Sequence, residues 1–132
     1  MQTYCTVDVI ALRHDNRFLL LQRAPHRSYP LTWNCVSGHI QERESAESAA
    51  IRELLEEAGL VGTMTCVGKP HWTEDDTTRF VIVPTLIYVT NEDELCIDPD
   101  ESCAYDWVKP ADPRVKCTDY LQLTLRSVGM LS

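Results

Sequence analysis

Three glutamates within five residues, Glu53, Glu56 and Glu57, are spaced so that one helix can present them together, with Arg52 beside them and Glu44 upstream. Like charges at i,i+3 and i,i+4 cost roughly 0.2 to 0.5 kcal/mol each, and acids in a last helical turn oppose the dipole by about 0.3 to 1 kcal/mol apiece. A helix that needed only solubility would carry lysines there, and this one has none. Clustered hard oxygen donors are what Mg²⁺ or Mn²⁺ takes, and a bound cation turns the repulsion into attraction.

The element that must position them is the stretch Gly38 to Leu60, GHIQERESAESAAIRELLEEAGL. Ser45 is placed to cap a helix start and Gly59 to take the left-handed C-terminal conformation, so the spacing predicts a helix from about Ala46 to Ala58. At about 100° per residue, Glu53, Glu56 and Glu57 fall in one arc, with Leu54, Ala58, Ile51 and Leu55 expected in the opposite, core-facing one. Ala46 and Ala49 leave room beside the carboxylates for an ion and a ligand. A glycine at Gly38 lets the backbone approach a ligand closely.

The same spacing resembles the box of the Nudix family, G-x5-E-x7-R-E-U-x-E-E-x-G-U with U aliphatic. Gly38, Glu44, Arg52, Glu53, Leu54, Glu56, Glu57, Gly59 and Leu60 fill every constrained position. A chance match is on the order of one in a billion per start point. The resemblance implies a Nudix α/β/α sandwich, and metal ions bridging a diphosphate while water attacks phosphorus. It implies Gly38, Glu53, Glu56 and Glu57 as metal ligands, Glu53 or a distant glutamate as base, Arg52 orienting Glu53, and Glu44 and Gly59 supporting the motif. Glu101 is the expected distant glutamate and further ligand, because DESCAYDW resembles the E-x-x-x-Y-x-W stretch of dihydroneopterin triphosphate and dATP pyrophosphatases; Glu74, Asp75 and Asp76 are alternatives.

The 132 residues are expected to form one Nudix domain, 44% apolar and 24% charged. With 12 bases against 20 acids the formal charge is -8, which argues against a nucleic-acid polymer or an anionic membrane as partner. An anionic small molecule would then need cations as intermediaries. Neither a transmembrane run nor a signal peptide is evident at MQTYCTVDV, so a cytoplasmic location is expected. Cys5, Cys35, Cys66, Cys96, Cys103 and Cys117 lack zinc spacing and read as reduced, half-buried thiols, mostly in strands.

Tyr4 to Leu12 and FLLLQR predict a hairpin ending at Arg23, where a guanidinium could reach a phosphate or make a surface ion pair. Ala24 to Thr32 reads as a loop, and Trp33 to Ser37 as a short strand whose Trp33 either lines a pocket or enters the core. Gly62 to Val67 predicts a strand. GKPHWTEDDTT reads as a long polar loop reaching over the site, with Trp72 and His71 candidates either to stack on a ring or to pack on the surface, and Arg79 at the start of the apolar strand Arg79 to Thr90 a further substrate contact. Pro84 implies a bulge or an edge in that strand. Cys96 to Ile97 suggests a brief strand piece, Cys103 to Val108 a full one, and Thr118 to Val128 a closing helix with Asp119 near its start and Leu121, Leu125 and Val128 inward. Strands, helix, strands and helix together predict an α+β layer sandwich with a mixed sheet.

LLLQR, WNCVSG and ESCAYDW together resemble the house-cleaning nucleoside triphosphate pyrophosphatases. The expected reaction is Mg²⁺-dependent cleavage of a nucleoside or pterin triphosphate to monophosphate and pyrophosphate, by a monomer or homodimer. The proline of ADP-ribose pyrophosphatases is absent from positions 75–77, as are the tyrosine of diadenosine polyphosphate hydrolases near Thr78 and the proline-glycine entry of the coenzyme A subfamily. The alternatives are a nucleotide-sugar hydrolase, a non-catalytic nucleotide-binding regulator, and an enzyme like isopentenyl diphosphate isomerase, which NCVSGHIQxxES resembles and whose catalytic cysteine falls at Ser37.

Overall fold

Alternation along the first strands sets the architecture. In the computed structural model, which describes residues 1–132 apart from the side chain of Asp119, β1 (Gln2–Leu12) sends Val7, Val9 and Ala11 into one buried cluster and Ile10 into another. β2 (Phe18–Arg23) repeats the pattern, with Leu19 and Leu21 against Phe18 and Leu20. Residues i and i+2 share one face of a strand, so these strands are apolar on both faces and must be covered on both. Ala49, Ala50, Leu54 and Ala58 of α1 (Ala46–Ala58) complete one cluster. Val115 of α2 (Pro113–Lys116) and Leu121 and Leu125 of α3 (Asp119–Ser127) complete the other. The expected α/β/α sandwich results.

β1 runs parallel to β7 (Thr78–Val89) along its whole length, while its other edge pairs antiparallel with β4 (Val36–His39) and, at Leu12, with β2. β2 is flanked by β3 (Trp33–Asn34) and β8 (Ser102–Val108). β5 (Gly62–Val67) and β6 (His71–Glu74) share the far edge of β7, both antiparallel, so the sheet is mixed.

Four expectations outside α1 need correction. The connection read as a loop contains β6, which forms a hairpin with β7. Pro84 marks neither an edge nor a bulge of β7: its carbonyl accepts from Gly68 N at 2.8 Å, so its missing amide faces the gap where β5 hands over to β6. Cys96 to Ile97 forms no strand and follows a 3₁₀ turn at Glu92–Glu94. Four of the six free thiols, Cys5, Cys96, Cys103 and Cys117, are exposed rather than half-buried. Among the described residues no helix is long and apolar enough to cross a membrane.

The local signals at α1 act as expected: Ser45 Oγ accepts from Ser48 N at 3.0 Å, and Gly59 sits at φ 67° with its amide on Leu55 O. The division of its faces differs. Ile51 and Leu55 are 48% and 53% exposed, while Glu53 is partly buried. On the helical wheel Glu53 and Glu57 fall between Ala49 and Ala50, inside the arc that packs on the sheet. Alanines line that arc because the helix lies close to the strands, and the acids enter it where the sheet ends.

Candidate functional site

Two adjoining hollows of about 790 and 500 Å³ form one cleft along the edge of α1. Glu57, Glu101, Arg23, Ser37 and Tyr120 line both. Gly38, Glu53 and Glu56 line the larger one, and Trp33 the smaller.

Arg52 organises the acids on α1. Its Nε and Nη2 grip the two oxygens of Glu44 at 2.8 and 2.9 Å, and Nη1 reaches Glu53 Oε1 at 2.9 Å and Glu56 Oε2 at 3.2 Å. Nη2 also donates to His39 O at 3.0 Å, tying the helix to the end of β4. The guanidinium holds the Glu44 carboxyl down at about 2, aided by Gln41 N. Glu44 thus buttresses the loop, and all but Glu56 of this set are largely shielded from solvent.

Burial pushes the Glu53 carboxyl up, against the pull of Arg52. Glu57 goes further, raised to about 8 by burial and then by the negative charges of Glu53 and Glu101. Its Oε2 is buried without a hydrogen-bond partner. Gly38 leaves the space the Glu53 carboxylate needs, since a Cβ there would overlap it.

Glu101, just before β8, is drawn into the same field as Glu53 and Glu57 although it lies far along the chain. Arg27 Nη2 holds its Oε1, and Arg27 Nε donates to Asp100 O at 3.0 Å. Sequence reasoning missed Arg27, which sits in an irregular loop with no periodicity to mark it. Arg23 stands at the end of β2 with its guanidinium on Ser28 and its charge lowering the Glu57 carboxyl. Trp33 packs at the rim, with Arg114 stacked 4.7 Å over its ring.

Two expected substrate contacts lie elsewhere. β6 and β7 alternate, so Thr73 and its partner Phe80 line the cleft while the pairs Trp72–Val81 and Glu74–Arg79 project from the other face. Trp72 is 66% exposed there, and Arg79 is held by Glu74 at 2.7 Å. Asp75, another alternative acid, caps the hairpin turn by accepting from the Thr77 and Thr78 amides.

A second residue absent from the sequence reading is Asp8, a lone acid in an apolar strand. It lines the cleft from β1 at 6% exposure, accepts from Thr124 Oγ1 at 2.8 Å, and is pushed up to about 6 by its burial. Tyr120 spans the opening, its hydroxyl 2.8 Å from Thr73 Oγ1.

As folded, no three carboxylate, thiol or imidazole groups among the described residues are gathered tightly enough to cage an ion. The arginines supply the counter-charge instead. The donors still suit a hard divalent cation: Glu57, a buried carboxyl with an oxygen unpaired among the described residues, feels the charges of Glu53 and Glu101, and the Glu53 carboxylate occupies the room that Gly38 leaves by having no side chain.

Comparison with known proteins accords with this geometry. The NUDIX domain family matches residues 5–123. Isopentenyl-diphosphate Delta-isomerase of Nocardia farcinica is 34% identical over 110 residues, 76% of this chain and 60% of that protein. The NAD-capped RNA hydrolase NudC of Escherichia coli is 27% identical over 79% of this chain and 38% of its own length. The chain therefore spans 60% and 38% of the lengths of these relatives, less than two thirds of each. A MutT Nudix hydrolase structure from Burkholderia pseudomallei superimposes with a TM-score of 0.75 at 23% identity, covering 97% of this chain and 99% of that one. An Ap4A hydrolase from C. elegans gives 0.77 at 24%, covering 96% and 95%. With the family's pattern matched across nearly the whole sandwich and the glutamate helix at its cleft, the chain belongs to the Nudix family.

Proposed function

We propose that this protein is a divalent-metal-dependent hydrolase that cleaves a nucleoside or pterin triphosphate to the monophosphate and pyrophosphate. The observation that carries the reading is Glu57: a carboxyl buried beside two other acids, with an oxygen that no described residue satisfies. Such a group is costly unless a ligand completes it. Bound Mg²⁺ or Mn²⁺ would be held by Glu53, Glu57 and Glu101, with Glu56 and the Gly38 carbonyl at the margin, and would neutralise charge on the phosphates and acidify water.

The chain's own residues supply the rest. Arg52 fixes the rotamer of Glu53, so that Glu53 or Glu101 takes the proton of the attacking water. Arg23 and Arg27, both lining the cleft, counter the triphosphate's charge in a protein that is otherwise acidic. The Arg52–Glu44 clamp keeps this geometry preorganised before substrate arrives.

A second reading has its own support: the isomerase match and the NCVSGHIQ segment favour a diphosphate ester as ligand. Ser37 lines the cleft where the resemblance puts that enzyme's cysteine, and the neighbouring Cys35 is buried. A panel of nucleoside triphosphates, dihydroneopterin triphosphate, nucleotide sugars and isopentenyl diphosphate, assayed with magnesium, separates the readings. Pyrophosphate from triphosphates supports the proposal; turnover of nucleotide sugars alone, isomerised isopentenyl diphosphate, or no turnover of any of them overturns it.

A further inference from the structure

Asp8 is a buried carboxyl whose only hydrogen-bond partner among the described residues is the Thr124 hydroxyl, made through Oδ2. Thr124 is fully buried in α3, and among the described residues Asp8 makes no ion pair. A tie between β1 and α3 would be made as well by a neutral side chain, without the cost of burying an acid. The carboxyl also lines the cleft, level with Ser37 on β4 and flanked on its own strand by Thr6, with Oδ1 left over. Asn34 lines the cleft as well, its Oδ1 accepting from Cys35 N at 2.8 Å, and among the described residues its Nδ2 donates to no partner.

We infer that Asp8, with Asn34, selects a substrate carrying a 2-amino-4-oxopyrimidine edge, the donor–donor–acceptor face shared by guanine and pterins. The inference rests on the triphosphate reading above and names the ring it would take. A carboxylate offers acceptors only, and it suits two adjacent N–H donors. Of the common bases, guanine alone presents that pair, N1–H beside the 2-amino group, with O6 next to them for the Asn34 amide. Adenine and cytosine set a ring-nitrogen acceptor beside their amino group, and uracil and thymine flank N3–H with two carbonyls, so each would aim lone pairs at the carboxylate. A site whose buried polar group goes unpaired rejects such rings strongly.

The test measures equilibrium binding of GMP, IMP, AMP and neopterin monophosphate to the intact protein, together with hydrolysis of the matching triphosphates. Binding of monophosphates keeps a failure of hydrolysis distinct from a failure of recognition. GMP or the pterin is expected to bind at least a hundredfold more tightly than AMP, and IMP, lacking the 2-amino donor, to bind about tenfold to a hundredfold more weakly than GMP. The ratio of GMP to pterin affinity assigns the source of the shared edge. Asp8→Asn retains an oxygen for Thr124 and offers an acceptor–donor pair, which should shift preference toward AMP with an unreduced Tm. Equal affinity of the wild type for all rings, or an equal loss for every ring in Asp8→Asn, would reduce Asp8 to a structural tie and overturn the inference.

Discussion

Arg52 grips both carboxylate oxygens of Glu44 side-on, at 2.8 and 2.9 Å, while its remaining nitrogen holds Glu53. One guanidinium thus fixes both the loop that enters α1 and the first acid of the cleft. A lysine would keep the charge and lose the fork.

Arg52→Lys should therefore lower kcat about 10- to 100-fold while leaving KM nearly unchanged, since it loosens the geometry rather than removing a phosphate contact. Glu53→Gln should cost several orders of magnitude. Steady-state kinetics on whichever triphosphate is turned over checks both; an unaltered kcat in Arg52→Lys would refute the positioning role.

Gly38→Ala places a methyl group where the Glu53 carboxylate lies. The obstructing atoms are the end of a flexible side chain, so the fold should survive with a Tm within a few degrees of the wild type. Turnover should fall by a factor of ten or more as Glu53 is pushed aside. A large loss of Tm with normal turnover in the remaining folded protein would contradict this.

The Glu57 carboxyl, raised to about 8, carries its proton at neutral pH. A cation can take it as a ligand only after that proton leaves. Magnesium binding at pH 7 should release close to one proton, less at pH 9, with apparent affinity rising with pH up to about 8. Calorimetry in buffers of different ionisation heat measures the release, and Glu57→Gln should abolish it. Chelation should lower Tm relative to the magnesium-loaded protein, by about 2.7 kcal/mol of stability when free ion had stood at a hundred times Kd.

Asp8 gives a different pH signature. Its folded carboxyl titrates at about 6 against 3.8 for the ordinary side chain, so folding takes up a proton between these values and stability falls as pH rises through that window. The penalty above pH 6 is about 3 kcal/mol. Asp8→Asn should remove it, so the variant should be more stable than the wild type at pH 8 and equal to it at pH 4 in urea titrations. The same gap at both pH values would show that the carboxyl is not the source.

What could be read from the sequence was what chain-local chemistry dictates. The Ala46–Ala58 helix was bounded correctly because Ser45 and Gly59 act within one turn of the residues they cap. The orientation of Ile51 and Leu55 was misread because size suggested core, whereas the close approach of α1 to the sheet admits alanine and turns the larger side chains outward. β6 was missed because HWTE is polar and becomes a strand only through its register with β7. Glu101 is singled out in the sequence by its resemblance to a motif, but its partner Arg27 and the buried Asp8 are defined by contacts 74 and 116 residues distant in the chain, which no periodicity encodes.

The gap opposite Pro84 means that the ladder from β5 stops before the one from β6 begins, and β6 joins β7 in a register of its own, tied across the cleft only by the Tyr120 hydroxyl on Thr73 among the described side chains. The connector at residues 68–70 that sets this register rests on Ser127 at the end of α3, on the face of the sheet opposite α1. The wall of the cleft and its acids thus belong to separate parts of the same small sandwich.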